Sequence, residues 1–203
     1  MIRNLLFDLG GVIMDIRREN AVKALKELGM RDVESFLGDD YSQKGSFLQL
    51  ERGEITTEEF RRDVRRYIDA PVTDGQIDDA FCKFLIGIPV KRLHELAALR
   101  SEYKVYMLSN TNPLMWERFI LPEFRKDGHD VNYYFDGIVT SFSVRAYKPE
   151  PAIFKAVERD LGIIPSETMF FDDSPRNVEA SCRLGFHGVL VRPGTEFIDL
   201  IKE

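Results

Sequence analysis

Cysteine is scarce in this chain and tryptophan scarcer: two of the first, Cys82 and Cys182, and one of the second, Trp116, among 203 residues. The cysteines lie far apart, with no CxxC spacing and no histidine cluster beside either. This excludes a disulfide framework and a thiolate metal centre, and two buried reduced thiols are expected. Basic residues are not in excess: 28 Lys and Arg stand against 34 Asp and Glu, a net charge of −6. Without a basic stripe, nucleic acid and anionic membrane surfaces are excluded as partners. No apolar run approaches the roughly 20 residues that a membrane span needs. A strand pattern begins within four residues of Met1, which leaves no room for a signal peptide. A cytoplasmic protein, monomer or weak homodimer, is the expectation.

What is present is a set of five short apolar runs: Asn4 to Leu9, Lys104 to Leu108, Phe135 to Thr140, Thr168 to Asp172 and Gly188 to Val191. Continuous apolar runs of this length read as strands buried on both faces. Helical patterns precede three of the last four: Val90 to Arg100, Pro149 to Leu161 with Gly162 as a stop, and Pro175 to Leu184 stopped by Gly185. Alternation of this kind predicts an α/β fold, a Rossmann-like doubly wound parallel sheet.

The first connection breaks the alternation. Residues 17–87 carry little strand character and read as several helices. One runs from Arg17 to Leu28. Another opens at a Thr56–Glu59 capping box and runs through Ile68. A third, from Ile77 to Leu85, follows a second box over Thr73–Gln76. About 70 residues are too many for a simple crossover. They predict a helical cap, residues 16–87, inserted after the first strand into a core made of residues 1–15 and 88–203.

Ligands of open parallel sheets sit at the carboxyl ends of the strands. Asp8, Ser109 and the Asp172-Asp173 pair all follow strand patterns at once, so three distant segments converge on one sheet edge. Three carboxylates gathered there repel one another and resist ionisation. A hard divalent cation with oxygen ligands relieves this, and Mg²⁺ is the usual choice beside a phosphate. Taken singly, each residue has a plainer role. Asp8 can turn the chain before Gly10-Gly11. Ser174 and Pro175 can start a helix, and the polar turn Ser109-Asn110-Thr111-Asn112 before Pro113 can cap another. Lys148 can be a surface lysine. A helix start does not explain two adjacent acids after Phe170-Phe171, and the Ser109 hydroxyl with nearby amides can hold phosphate oxygens.

In combination these pieces resemble the haloacid dehalogenase superfamily of phosphohydrolases. Leu6-Phe7-Asp8-Leu9, Leu108-Ser109-Asn110, Lys148-Pro149 and Phe171-Asp172-Asp173-Ser174 occur in the family's order over nearly the whole chain. Asp8-Leu9-Gly10-Gly11-Val12 and Glu51-Arg52-Gly53-Glu54-Ile55 look like the branch containing bacterial α-glucose-1-phosphate phosphatases. That branch is related to the phosphatase domain of soluble epoxide hydrolase. The resemblance implies a phosphatase acting on a small phosphorylated metabolite such as a sugar 1-phosphate. Asp8 becomes the nucleophile. Mg²⁺ is held by Asp8, Asp173 and the carbonyl of Gly10, with Asp172 supporting its water. Ser109, Asn110 and Lys148 bind the transferring phosphoryl group.

Gly10 departs from the pattern. The family usually keeps there an aspartate that protonates the leaving oxygen and later activates water, a function typically worth ~10²–10⁴ in rate. A good leaving group, substitution by water or a cap residue with Asp15 as a nearby candidate, or weak catalysis would each account for the glycine. Arg17, Arg18, Asn20, Phe47, Gln49, Glu51 and Arg52 are the cap side chains expected to reach the substrate. Glu51-Arg52-Gly53 also reads as a plain helix end, and Trp116 as packing. A receiver domain of a two-component system uses similar groups, but its acidic pair follows the first strand. A non-catalytic binding protein that lost turnover through Gly10 is the other rival.

Overall fold

Strand β1 (Asn4–Phe7) is buried at all four positions. The computed structural model describes residues 1–38 and 43–201, so part of the expected cap, 39–42, and the last two residues of the expected core lie outside the described residues. The chain then forms β2 (Asp15–Ile16), β3 (Leu85–Gly87), β4 (Lys104–Ser109), β5 (Gly137–Thr140), β6 (Thr168–Asp172) and β7 (His187–Leu190). Five of them make one parallel sheet in the order β5-β4-β1-β6-β7. The sheet grows from β1 through β4 to β5, and then on the opposite side through β6 to β7. The order reverses at β1, which puts the binding crevice of such a sheet at its carboxyl end, just past Phe7.

Alternation along β1 sorts the core into two layers. Leu5 and Phe7 belong to one buried cluster and Leu6 to the other. Phe7 stacks on Phe171 with ring centres 4.8 Å apart and meets Phe197 edge-on at 5.0 Å. On the opposite face Phe154, from helix Pro151–Leu161, meets Phe170 edge-on at 5.6 Å. Helices Val90–Leu99, Pro151–Leu161 and Pro175–Arg183 lie between strands as expected, within a residue or two of the predicted ends.

The insertion is helical: Arg18–Glu27, Val33–Leu37, Gly45–Glu51, Thr57–Val64 and Asp74–Cys82. Both capping boxes form, with the Glu59 amide on Thr56 Oγ1 at 3.2 Å and the Gln76 amide on Thr73 Oγ1 at 3.3 Å. Phe36, Phe47, Phe60 and Phe81 pack together between the helices.

Several expectations are corrected. The first strand ends at Phe7, not Leu9, because the Leu9 amide turns back onto Asp8 Oδ1 (2.7 Å) and its carbonyl accepts the amides of Ile13 and Met14. The third predicted strand starts two residues late: the Asp136 amide still donates to the Val105 carbonyl (2.7 Å), but the Val105 amide is taken by the Asp136 side chain and not by backbone. The helix expected over Ile77 to Leu85 stops at Cys82, because Leu85 pairs with Ile16 in an antiparallel β2–β3 ribbon that the sequence did not reveal. Cys82 is buried, and burial pushes its thiol up to about 12, but Cys182 is exposed. Among the described residues no helix is long and apolar enough to cross a membrane.

Candidate active site

The carboxyl end of β1 delivers Asp8 to the reversal point, where its amide extends the ladder to the Phe171 carbonyl at 2.8 Å. Its Oδ1 accepts from the Leu9 amide at 2.7 Å and pairs with Lys148 Nζ at 2.8 Å. Lys148 arrives on the loop before helix Pro151–Leu161 and is 2 % exposed. Its ammonium also meets Asp172 Oδ2 at 2.7 Å and the Leu108 carbonyl at 3.2 Å. The backbone of Lys148 is clamped by Asn110, whose Oδ1 accepts the Lys148 amide (2.9 Å) while its Nδ2 donates to the Lys148 carbonyl (3.1 Å). A surface role for Lys148 is thereby excluded.

Asp172 is fully buried, and its oxygens accept from Lys148, from the Ser174 amide (2.8 Å) and from Asn177 Nδ2 (3.0 and 3.1 Å). Pro175 opens the following helix as expected. Ser174 makes no side-chain cap; Asp172 takes its amide instead. Asp173 leans toward Gly11, where an added Cβ would sit 2.4 Å from Asp173 Oδ2. Gly11 also has φ of +72°, so glycine is required twice over.

Oxygens of Asp8, Asp172 and Asp173 all lie within 4.8 Å of one another. Burial pushes Asp8 up to about 8, opposed by Lys148 and reinforced by Asp172 and Asp173. Burial, with Asp172 beside it, pushes Asp173 up to about 6. Burial works against the charge of Lys148, yet Asp172 and Asp8 outweigh it and hold the ammonium above the ordinary lysine value. One cation therefore does not satisfy three acids. An all-oxygen cluster with this residual strain suits a hard divalent ion.

The phosphate-loop candidates close the ring. Ser109 ends β4, and the Thr111 amide and carbonyl are fixed by Ser141 Oγ, both at 3.0 Å. Asn112 Oδ1 caps the next helix through the Met115 amide at 2.9 Å. Asp8, Gly10, Ser109, Asn110, Lys148 and Asp173 line one cavity of about 120 Å³, joined by Arg176 and Asn177.

Of the expected cap residues only Phe47 and Glu51 line it. Arg17 and Arg18 border a second depression with Asp15, and Asn20 and Gln49 line neither. Arg52 instead pairs with Glu150 and lies 5.7 Å from the Tyr147 ring. Asp15 is held by Arg92 at 2.8 Å, outside the cavity that contains Asp8. Trp116 packs near Phe142. Gly10 lies outside the left-handed region, and a Cβ there would touch Ile16 at 3.5 Å, an ordinary contact. Tyr147, Gln43 and Asn177 were not anticipated; only Tyr147 carried a signal, its place beside Lys148.

A family description, haloacid dehalogenase-like hydrolase, matches residues 2–185. The chain belongs to the haloacid dehalogenase-like hydrolases. This hydrolase is 38% identical over 92% of its length to 90% of a D-ribitol-5-phosphate phosphatase from Bacteroides thetaiotaomicron. A crystal structure of a haloacid dehalogenase family enzyme from the same organism, an aspartate-to-alanine mutant with magnesium and inorganic phosphate, superposes with TM-score 0.95 and 38% identity over 100% of both chains. A predicted hydrolase of the family from Porphyromonas gingivalis gives 0.91 and 38% over 100% of this hydrolase and 97% of that chain. The L-2-haloacid dehalogenase of Xanthobacter autotrophicus, at 20% identity and TM-score 0.63 over 94% and 78% of the two chains, shares the fold.

Proposed function

We propose that this hydrolase is a Mg²⁺-dependent phosphomonoesterase that works through an aspartyl phosphate on Asp8. The observation that carries the reading is the Lys148 ammonium shared between Asp8 (2.8 Å) and Asp172 (2.7 Å), in one cavity with Ser109, Asn110 and Asp173. A magnesium ion would be held by Asp8, Asp173 and the Gly10 carbonyl, with Asp172 supporting its water. When bound it supplies neutralisation of phosphate charge. Lys148 orients Asp8 and opposes the burial that raises it, and with the metal present the carboxylate would be ionised for in-line attack on phosphorus. Ser109, the Asn110 amide and Lys148 would neutralise charge on the transferring phosphoryl group as the ester bond breaks. Residues 16–87 form a cap over a core of residues 1–15 and 88–203.

The substrate is a small phosphorylated metabolite of the sugar or sugar-alcohol class. Likeness to a ribitol-5-phosphate phosphatase supports an open-chain polyol phosphate beside the sugar 1-phosphate that the sequence suggested. The deciding experiment measures phosphate release from a panel of such esters, with and without Mg²⁺ after chelation. Release that survives rigorous chelation ends the metal assignment. Binding of inorganic phosphate without turnover of any ester would favour the alternative, a binding protein disabled at position 10.

A further inference from the structure

Glu51 is the last residue of helix Gly45–Glu51 and is 4 % exposed. Apart from Asp8 and Asp173, it is the one carboxyl among the described residues lining the cavity. It is seated firmly. Arg52 pairs with Glu150 on the core, and Gly53 presses so close to the Phe142 carbonyl that an added Cβ would lie 2.3 Å from its oxygen. No cation is paired with Glu51 among the described residues. Arg52 is engaged with Glu150, and Lys148 with Asp8 and Asp172.

Its hydrogen bonding is informative. Tyr147 Oη lies 2.8 Å from Glu51 Oε2 and 2.6 Å from Gln43 Oε1. A phenol has one proton and cannot donate to both oxygens. With the Gln43 amide turned to donate through Nε2, Tyr147 donates to Glu51; with Tyr147 donating to Gln43, Glu51 supplies the proton of the second bond, so this contact accommodates the carboxyl in either protonation state. The Asn112 amide approaches the same carboxyl without completing a hydrogen bond. Burial accordingly pushes Glu51 up to about 7, against the smaller lowering effects of Tyr147 and Asn112, and burial, with Glu51 beside it, raises the Tyr147 phenol as well. A carboxyl poised near neutrality inside a reaction cavity suits proton transfer in both directions.

We propose that Glu51 is the catalytic acid and base of this site, replacing the group that Gly10 lacks, with Tyr147 as its positioning residue. The proposal rests on the phosphatase reading above. In the first step an Asp8 oxygen bonds to phosphorus as the bond from phosphorus to the ester oxygen breaks. That oxygen keeps the electron pair and takes the Glu51 proton, leaving as a neutral alcohol. In the second step a water oxygen bonds to phosphorus and the Asp8–phosphorus bond breaks, restoring the Asp8 carboxylate. Glu51, now a carboxylate, takes the water proton. The sum is ester plus water giving alcohol plus phosphate, with Glu51 protonated again.

The test uses the Mg²⁺-loaded protein, ribitol 5-phosphate as an alkyl ester and 4-nitrophenyl phosphate as an ester whose leaving group needs no proton. Glu51→Gln is expected to slow single-turnover cleavage of the alkyl ester by about 10²–10³-fold. The burst of nitrophenol should fall far less, and its steady-state release should slow because dephosphorylation has lost its base. The wild-type alkyl rate should decline above about pH 7, and Glu51→Gln should lack that limb. Tyr147→Phe should move the limb, and it stands as the test if Glu51→Gln does not fold. Equal losses on both esters, a raised KM at unchanged kcat, or an unmoved limb in Tyr147→Phe would overturn the proposal. Wild-type protein that cleaves neither ester would instead remove the phosphatase reading itself.

Discussion

Lys148 and Asp172 meet at 2.7 Å with both side chains sealed from solvent, and Asp8 shares the same ammonium at 2.8 Å. The pair holds the nucleophile candidate and the acidic loop after β6 in fixed relation. Removing either partner leaves a buried charge without compensation, which typically costs 3–5 kcal/mol. Lys148→Met is therefore expected to lose both turnover and stability, read as kcat and as the midpoint of urea unfolding. An unchanged midpoint would mean the pair is not buried in solution.

Asp8→Asn should separate the two effects. The amide fills the same volume but cannot accept a phosphoryl group. Turnover should vanish while the fold persists, and beryllium fluoride should form an adduct on wild-type Asp8 and not on the variant. Near wild-type rates from Asp8→Asn would rule out covalent catalysis at this position.

Metal binding should release protons. Burial pushes Asp8 up to about 8 and Asp173 up to about 6 even with Lys148 beside them, and both must be ionised to serve as ligands. Apparent Mg²⁺ affinity should therefore rise with pH up to about 8. Calorimetric titration near pH 7 in buffers of different ionisation heat should report proton release. Heats independent of the buffer would contradict the raised values.

Adjacent glycines should behave in opposite ways. Gly11→Ala brings a Cβ within 2.4 Å of Asp173 Oδ2 at a positive φ, so loss of metal affinity and about 1–3 kcal/mol of stability are expected. Gly10→Asp has an ordinary backbone and van der Waals contact with Ile16, so it should fold. Where proton donation limits the rate, it should speed alkyl esters relative to aryl ones. Thermal unfolding and the two ester rates, measured side by side, decide both expectations.

Glu51 also leaves a signature on stability. A carboxyl raised from 4.5 to about 7 on folding holds its proton more tightly in the native state. The fold is thus most stable, with respect to this group, below pH 4.5, and loses stability as pH climbs to about 7. The integrated effect is about 3 kcal/mol at most. Glu51→Gln lacks this dependence, so its stability relative to wild type should improve between pH 4 and pH 8. A constant difference across that range would mean Glu51 is already ionised.

Asp8, Ser109, Lys148 and the Asp172-Asp173 pair were legible in the sequence because each ends, follows or immediately precedes a regular element. A buried parallel strand announces its end by its apolar run. Tyr147 was not, since its partners Gln43 and Glu51 stand 104 and 96 residues away. The β2–β3 ribbon has strands of two and three residues, too short for any period to register. Cys182 was misjudged because rarity of cysteine was taken for burial. Its neighbours Ala180 and Ser181 are buried, while Cys182 is exposed even though its Sγ lies close to Gly188 of β7.

That ribbon has a consequence for how the family can diversify. The chain enters the insertion through Asp15–Ile16 and leaves it through Leu85–Gly87, and these two short strands pair with each other apart from the main sheet. The span bridged by everything between them is thus set by one strand pairing and not by the number of residues inserted. Lengthening a closed loop costs little, roughly 0.6 kcal/mol per doubling. Helices can be added to or removed from this segment while the carboxyl edge of the sheet, with Asp8, Ser109 and Asp172, keeps its shape, and what changes is the wall of the cavity that Phe47 and Glu51 supply.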